Sequence, residues 1–422
     1  MKDETKKNIP SMEPYKGVRD FYPQDQFVQR YIFETMARVC ELYGYEEYGA
    51  SVLEPAELYR AKTSEEIVND ETYKFRDRGD REVTLRPELT PTFARMVAAK
   101  RRDIPLPARW YAIANAFRYQ RPQKGRLREF WQLNADIVGI DGIEADAEII
   151  ALAHNVVRSF GAEERNFEIR VSDRRLLESA YDECGIAPEV RAAVTRLLDK
   201  RGKIDTFEEE LARAAGEKTA RMLVEHLDRT TSSAYLEELR GVLQSLGVRN
   251  MVVDTKITRG FDYYTGMVFE IFDTDESNRR SLAGGGRYDS LLSLFGGAPI
   301  PAVGFAMGDV ITRDFLEAHN LIPNYTPSTE LMLGVIDKTA VAHAMRLAQD
   351  LRREDVAVAV NFSLRRAGDQ IKTADELGIP FIIMVGEQER DSGKYTIRQL
   401  ENGNEVTLPA DRISEHLFSA LG

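Results

Sequence analysis

Only two cysteines occur in 422 residues. Cys40 and Cys184 stand far apart, so they make no disulfide framework, and no CxxC pair offers zinc closely spaced thiolates. Two structural thiols are the expectation. Long hydrophobic runs are missing too: no uncharged stretch approaches the roughly 20 apolar residues that cross a bilayer. The opening segment, MKDETKKNIPSMEPYKG, lacks the apolar run of a secretory signal, so the expected location is the cytosol, with no membrane partner. Internal repeats and low-complexity tracts are absent. Basic residues are outnumbered by acidic ones, 57 to 69, for a formal net charge of −12. That balance does not exclude a polyanionic partner, because binding follows local potential rather than total charge.

At 43% hydrophobic and 30% charged, the chain has material for two or three globular domains. Residues 25–43 carry apolar side chains at helical spacing and are followed by Gly44, a stop signal. A short extended stretch, Ser51 to Leu53, ends at Pro55, and TYKFRD and EVTLRP flank the turn residues Arg78, Gly79 and Asp80 as a hairpin. WYAIANAFRY and EFWQLNADIVG read as two strands joined by a basic loop. Residues 144–160 read as a helix and FEIRVSD as a strand. From Arg174 to Gln244 helix formers and charges take over, which predicts a helical insertion at about 174–246 within a β-rich domain. Strands resume with NMVVDTKI, MVFEIFD and PAVGFAMG. NLIPNYTPSTE, Asn320 to Glu330, is the linker candidate, with the linker itself set at 326–330. Beyond it strand and helix alternate through 331–422, predicting a small α/β domain after a first domain of 1–325.

Three constellations carry chemistry. FRYQRPQKGRLREFWQ, Phe117 to Gln132, holds five cations in sixteen residues: Arg118, Arg121, Lys124, Arg126 and Arg128. It fits either a solvated hairpin tip or a phosphate clamp, in which planar guanidinium on a rigid strand grips an anion or stacks on a base. TRGFDYYTGMVFE places Arg259 and Asp262 beside Tyr263 and Tyr264, as a ligand cluster or as an ordinary hairpin with Tyr263 in the core. In TLRPELTPTFAR, Glu88 lies between two prolines and before Thr90, as a fixed acceptor or a plain loop carboxylate. The run Gly284 to Gly286 suits either close approach to a ligand or a turn.

These stretches resemble class II aminoacyl-tRNA synthetases, and within them the histidine-specific family, over nearly the whole chain. KGVRDFYP looks like the N-terminal signature, and YGYEEYGASVLEP resembles the first class II motif, which builds a dimer interface. FRYQRPQKGRLREFWQ resembles the second motif with its loop. LRPELTPTFAR and TRGFDYYTG resemble the two histidine-specific signatures, and AVNFSLRRAGDQIKTADELGIPFIIMVGEQE looks like an anticodon-binding domain.

The resemblance implies an α+β fold: a class II catalytic domain with a mixed, mainly antiparallel sheet and a helical insertion, then an α/β anticodon-binding domain. It implies activation of histidine with ATP and transfer to the 3′ end of tRNA(His) by a homodimer. Arg118 and Arg259 would be catalytic, stabilising charge on the α-phosphate. Glu88, Leu89, Thr90, Arg118, Gln132, Asp136, Arg259, Tyr263 and Tyr264 would surround histidine. Arg118, Gln120, Arg126 and Phe130 would bind ATP, with Gln120 standing where the family usually has Glu. Gln123 and Lys124 would meet the tRNA acceptor end. Magnesium would arrive on the ATP phosphates, with no dedicated metal site and no prosthetic group. None of the five histidines falls in a signature.

One departure keeps an alternative open. The third class II motif carries a phosphate-binding arginine three residues after the glycine that matches Gly308, and here Ile311 occupies that position. A catalytically silent histidine sensor, resembling the regulatory subunit of ATP phosphoribosyltransferase, is the second reading, although such proteins generally lack an anticodon-binding domain and tend to lose residues such as Arg259. A nucleic-acid-binding module without chemistry is the third, and it would not need Glu88, Gln132, Asp136 and Tyr264 together.

Overall fold

The computed structural model describes residues 11–60, 71–198, 201, 204–229, 232–254, 257, 263–275, 278 and 280–421. Two compact units divide at Pro323 and Asn324, inside the proline-containing stretch.

The first unit opens with α1 (Pro23–Leu42), which has Pro in its first turn and buries Val28, Ile32, Met36 and Val39 at three- and four-residue spacing. Gly44, at φ 77°, ends it. Then come β1 (Glu46–Glu47), β2 (Leu53–Pro55), the single turn α2 (Glu57–Arg60), and a hairpin of β3 (Lys74–Arg76) and β4 (Glu82–Leu85) around the expected turn. β2, β4 and β3 form a small sheet. α3 (Thr90–Ala99) leads to the long strands β5 (Ala108–Phe117) and β6 (Glu129–Val138), paired in register from Ala108 opposite Val138 to Phe117 opposite Glu129. The basic loop is their connection.

After α4 (Ile143–Ser159) and β7 (Phe167–Asp173), the described residues form five helices: α5 (Arg174–Cys184), α6 (Pro188–Leu198), α7 (Phe207–Ala215), α8 (Glu217–Arg229) and α9 (Ala234–Ser245). The sequence pattern treats them as one block, whereas packing divides them. α5 to α8 share their own core, with Leu177, Tyr181, Leu211 and Leu223, while Leu236, Leu239 and Leu243 of α9 join α4 in the core of the main sheet. Helix periodicity reports that a face is apolar, not which body covers it.

β8 (Met251–Val253), β9 (Met267–Asp273), β10 (Ser281–Arg287), β11 (Ala302–Gly308) and α10 (Asp309–Ala318) complete the unit. The main sheet runs β1-β5-β6-β11-β10-β9-β7-β8; its two outermost pairs are parallel and the others antiparallel. It is the expected mixed, mainly antiparallel sheet. The glycine run is neither a turn nor a loop but the middle of β10. A Cβ on Gly285 would sit 2.1 Å from the carbonyl oxygen of Gly304, and one on Gly286 2.6 Å from that of Met267. Side chains are excluded there by backbone on the neighbouring strands.

The second unit holds β12 (Leu331–Val335), α11 (Val341–Arg353), β13 (Val358–Asn361), α12 (Ala367–Glu376), β14 (Phe381–Val385), α13 (Glu387–Ser392), β15 (Lys394–Gln399), β16 (Glu405–Pro409) and α14 (Ile413–Leu421). β13, β12 and β14 are parallel, and β15 and β16 extend the sheet antiparallel. Leu333, Ile383, Leu347 and Leu417 build a core separate from that of the first unit.

Two glycine substitutions test this packing. Gly285→Ala drives a methyl into backbone and is expected to cost several kcal/mol, or to leave the chain insoluble. Gly241 is exposed within α9 with nothing within 4 Å of a built Cβ, so Gly241→Ala is expected to stabilise by about 0.5–1 kcal/mol. Thermal unfolding of both variants measures this, and equal effects contradict the packing.

Candidate functional site

β6 shows why a strand can serve a core and a site together. Successive side chains point to opposite faces. Leu133, Ala135 and Ile137 enter the main core, and Gln132, Asn134 and Asp136 face the other way, into a cavity of about 230 Å³. That size is below the roughly 300 Å³ at which pockets for drug-sized ligands begin, and suits a small polar molecule. Glu88, Thr90, Arg118, Tyr263 and Tyr264 also line it. Seven side chains singled out from three distant stretches therefore meet. Leu89 does not join them: it is fully buried at the start of α3 and is not among the lining residues. Arg259 lies outside the described residues.

The segment before α3 is fastened to β5 by Arg86. Its guanidinium donates to the Asn115 carbonyl at 2.7 Å, to Asn115 Oδ1 at 3.0 Å and to the Ala50 carbonyl at 2.8 Å. Arg118 Nε in turn donates to the Pro87 carbonyl at 3.0 Å. Glu88 is thus held at the cavity wall, where the Tyr263 hydroxyl donates to its Oε2 at 3.3 Å. Gln132 Nε2 donates to Asn134 Oδ1 at 2.6 Å.

Asp136 lies deepest. The hydroxyl of the fully buried Tyr288 donates to Oδ1, and Oδ2 is buried with no hydrogen-bond partner among the described residues. Desolvation pushes the carboxyl up to about 7, partly offset by the Tyr288 hydrogen bond. Opposite it on β11, a Cβ on Gly304 would fall 1.9 Å from Oδ1, so only glycine leaves room for this carboxylate. An unpaired, desolvated acceptor at a cavity floor calls for a ligand N–H. Sequence reasoning missed Asn134, Tyr288 and Gly304. The period-two rule applied to Gln132 and Asp136 would have found Asn134, whereas Tyr288 and Gly304 arrive through strand pairing that has no local signal.

A second, larger cleft of about 580 Å³ adjoins the first, lined by Gln120, Arg126, Phe130, Glu270, Phe272 and Arg280 among others. Arg118, Ser281, Gly308 and Ile311 border both spaces. The Arg118 guanidinium lies 5.4 Å from the Phe130 ring centre, and burial lowers its pKa against the opposing pull of Glu88. Gln120 is tied to the loop, donating to the Leu127 carbonyl at 3.0 Å. Gln123 and Lys124 are exposed at the loop tip, where Gln123 and Arg126 pair through their backbones. α10 starts beside this cleft. Asp309 at its first turn is 1% exposed and accepts from Arg19 at 2.6 Å, Gln29 at 2.9 Å and the Trp131 backbone N–H at 2.9 Å. Ile311 faces the cleft, and Arg313 is turned to Asp25 and Glu317, each at 3.0 Å. Among the described residues no group of three or more His, Cys, Asp or Glu is placed to hold a metal ion, and no helix is long and apolar enough to cross a membrane.

Comparison with known proteins covers the whole architecture. The family model for histidyl-tRNA synthetase matches residues 17–309, and that for an anticodon-binding domain matches 330–418. The histidine--tRNA ligase of Leptospira biflexa is 39% identical over 417 residues, covering 94% of this chain and 95% of that one. The enzyme of the same name from Haloarcula marismortui is 37% identical over 415 residues, covering 93% and 95%. A crystal structure of histidyl-tRNA synthetase from a Nostoc species superposes with a TM-score of 0.77 at 22% identity, over 98% of this chain and all of that one. A Bacillus halodurans structure described as an ATP phosphoribosyltransferase regulatory subunit/histidyl-tRNA synthetase gives 0.69 at 23% identity, over 86% and 97%.

Asp136 makes a pH prediction. Its folded pKa is raised above the unfolded value of 3.8, so the stability linked to its bound proton is fully present below pH 3.8 and is lost as pH rises through about 7. Without ligand, the wild-type thermal midpoint is expected to fall more between pH 6 and pH 8 than that of Asp136→Asn, which has no proton to lose. Calorimetry of both proteins checks this, and parallel slopes contradict the assignment.

Proposed function

The chain belongs to the histidyl-tRNA synthetase family, and we propose that its smaller cavity takes histidine while the adjoining cleft takes ATP. The chain is a histidine–tRNA ligase: it condenses histidine with ATP to histidyl-adenylate and pyrophosphate, then passes histidine to the 3′ end of tRNA(His). The observation that carries the division of the site is the shared wall. Arg118 borders both spaces, so a carboxylate in one and an α-phosphate in the other would meet at its guanidinium.

In this reading Asp136 Oδ2 and the Gln132–Asn134 pair receive the imidazole and ammonium N–H groups, with Glu88, Thr90, Tyr263 and Tyr264 closing the cavity. Phe130 offers its ring to adenine, Gln120 an amide to the adenine amino group, and Arg126 its charge to the terminal phosphates. The histidine carboxylate attacks the α-phosphorus, the bond to the β-phosphate oxygen breaks, and pyrophosphate leaves with the electron pair. Negative charge builds on the α-phosphate oxygens, and Arg118, already fixed by the Pro87 carbonyl, stabilises it without reorganising. Arg259 is assigned to the same charge. Magnesium comes as the ATP complex, on phosphate oxygens and water, the ligands it prefers. Gln123 and Lys124 are assigned to the acceptor end, the C-terminal unit to the anticodon, and the segment from Tyr43 to Pro55 to a second copy of the chain.

The deciding experiment is amino-acid-dependent exchange of pyrophosphate into ATP, with no tRNA present. Exchange is expected with histidine and at least a hundredfold less with the other nineteen amino acids, because a wrong ligand leaves buried polar groups unpaired. Equal exchange with a second amino acid contradicts the pocket, and none with histidine favours the silent sensor. Removing residues 324–422 is expected to leave exchange largely intact and to weaken tRNA charging. A folded truncation that charges tRNA as well as the full chain contradicts the anticodon assignment.

A further inference from the structure

Ile311 leaves the phosphate end of the cleft without the arginine that the third class II motif supplies from a helix. The nearby cations can be sorted by what already occupies them. Arg19 is spent on Asp309, at 2.6 Å. Arg313 is spent on Asp25 and Glu317. Arg128 lies over the ring of Tyr119, 4.1 Å from its centre, and donates to the Tyr15 hydroxyl. Arg280 is different: it lines the cleft, is only partly exposed, and makes no ion pair among the described residues.

Its placement is built rather than incidental. Arg280 immediately precedes β10, whose next residue, Ser281, borders both cavities. A Cβ on Gly125 at the loop tip would lie 2.9 Å from Arg280 Cδ and 3.5 Å from Ile311 Cγ1, so the loop, Arg280 and Ile311 converge on one spot. Gly125, at φ 70°, lets the loop lie against the arginine stem. Arg126 belongs to the same loop and lines the same cleft, and its charge adds to burial in lowering the pKa of Arg280. Among the described residues lining this partly desolvated cleft, three guanidinium groups, Arg118, Arg126 and Arg280, face two carboxylates, Glu270 and Asp309, and Asp309 is already paired. That excess of positive charge fits a ligand carrying several negative charges.

We propose that Arg280 grips the β- and γ-phosphates of ATP, supplying from the start of β10 the charge that α10 lacks at Ile311. This rests on the assignment of the cleft to ATP. In the reaction, the bond from the α-phosphorus to the bridging oxygen breaks and its electron pair goes to pyrophosphate; Arg280 and Arg126 neutralise that leaving group, and no proton need move.

The test compares ATP with AMP, which shares the adenosine and α-phosphate but lacks the groups Arg280 would hold. Calorimetric binding to the full-length protein needs no amino acid and no turnover. Arg280→Ala is expected to weaken ATP at least tenfold and AMP by less than twofold; Arg280→Lys, which keeps a charge, is expected to lose less than the alanine variant. Exchange kinetics of Arg280→Ala should show kcat/KM for ATP down tenfold or more with KM for histidine within twofold. Equal weakening of ATP and AMP, or unchanged ATP binding, overturns the proposal. Absence of histidine-dependent exchange in the wild-type protein would instead strike at the functional reading, which the nucleotide comparison does not require.

Discussion

The carboxylate of Asp309 ties together four segments that are distant in sequence: the N-terminal signature through Arg19, α1 through Gln29, β6 through the Trp131 backbone, and α10, whose first turn it occupies. A buried charge is tolerable only when it is fully paired, and this one receives two side-chain donors, a backbone donor and the favourable end of a helix dipole. The arrangement fixes where Gly308 and Ile311 stand between the two cavities. It also occupies Arg19 with a buried acid directly after Gly308.

The smaller cavity depends on side chains that are missing. Gly304 leaves space for Asp136, and Gly284 on the neighbouring strand lines the same hollow. A carboxylate at the floor of that hollow is desolvated, which raises its pKa and leaves Oδ2 seeking a donor. A buried acceptor left unpaired costs folding free energy, and a ligand that supplies its donor recovers that cost. Arg118 lines both this hollow and the larger cleft.

Much of this was legible in the residues. Alternation along EFWQLNADIV placed a strand, and motif resemblance marked Glu88, Arg118, Gln132, Asp136 and the two tyrosines, which converge on one cavity. Leu89 was carried along by its neighbours, and burial in the core takes its side chain from the site. The glycine run remained ambiguous between a turn and a close approach, because only the adjacent strands reveal that backbone fills the space a side chain would need.

The sequence by itself determined the long strands β5, β6 and β9, the helices α1 and α4, a unit boundary in the proline-containing stretch, and the residue types that meet at the cavity, since these depend on local periodicity and short motifs. Tertiary structure alone decided that α9 belongs with the main sheet, that Tyr288 meets Asp136 across 152 residues, and that Arg280 faces the cleft. The reason is physical. Periodicity tells a residue which face of its own element it occupies, but burial, pairing and the shape of a cavity are set by whichever distant element packs against that face.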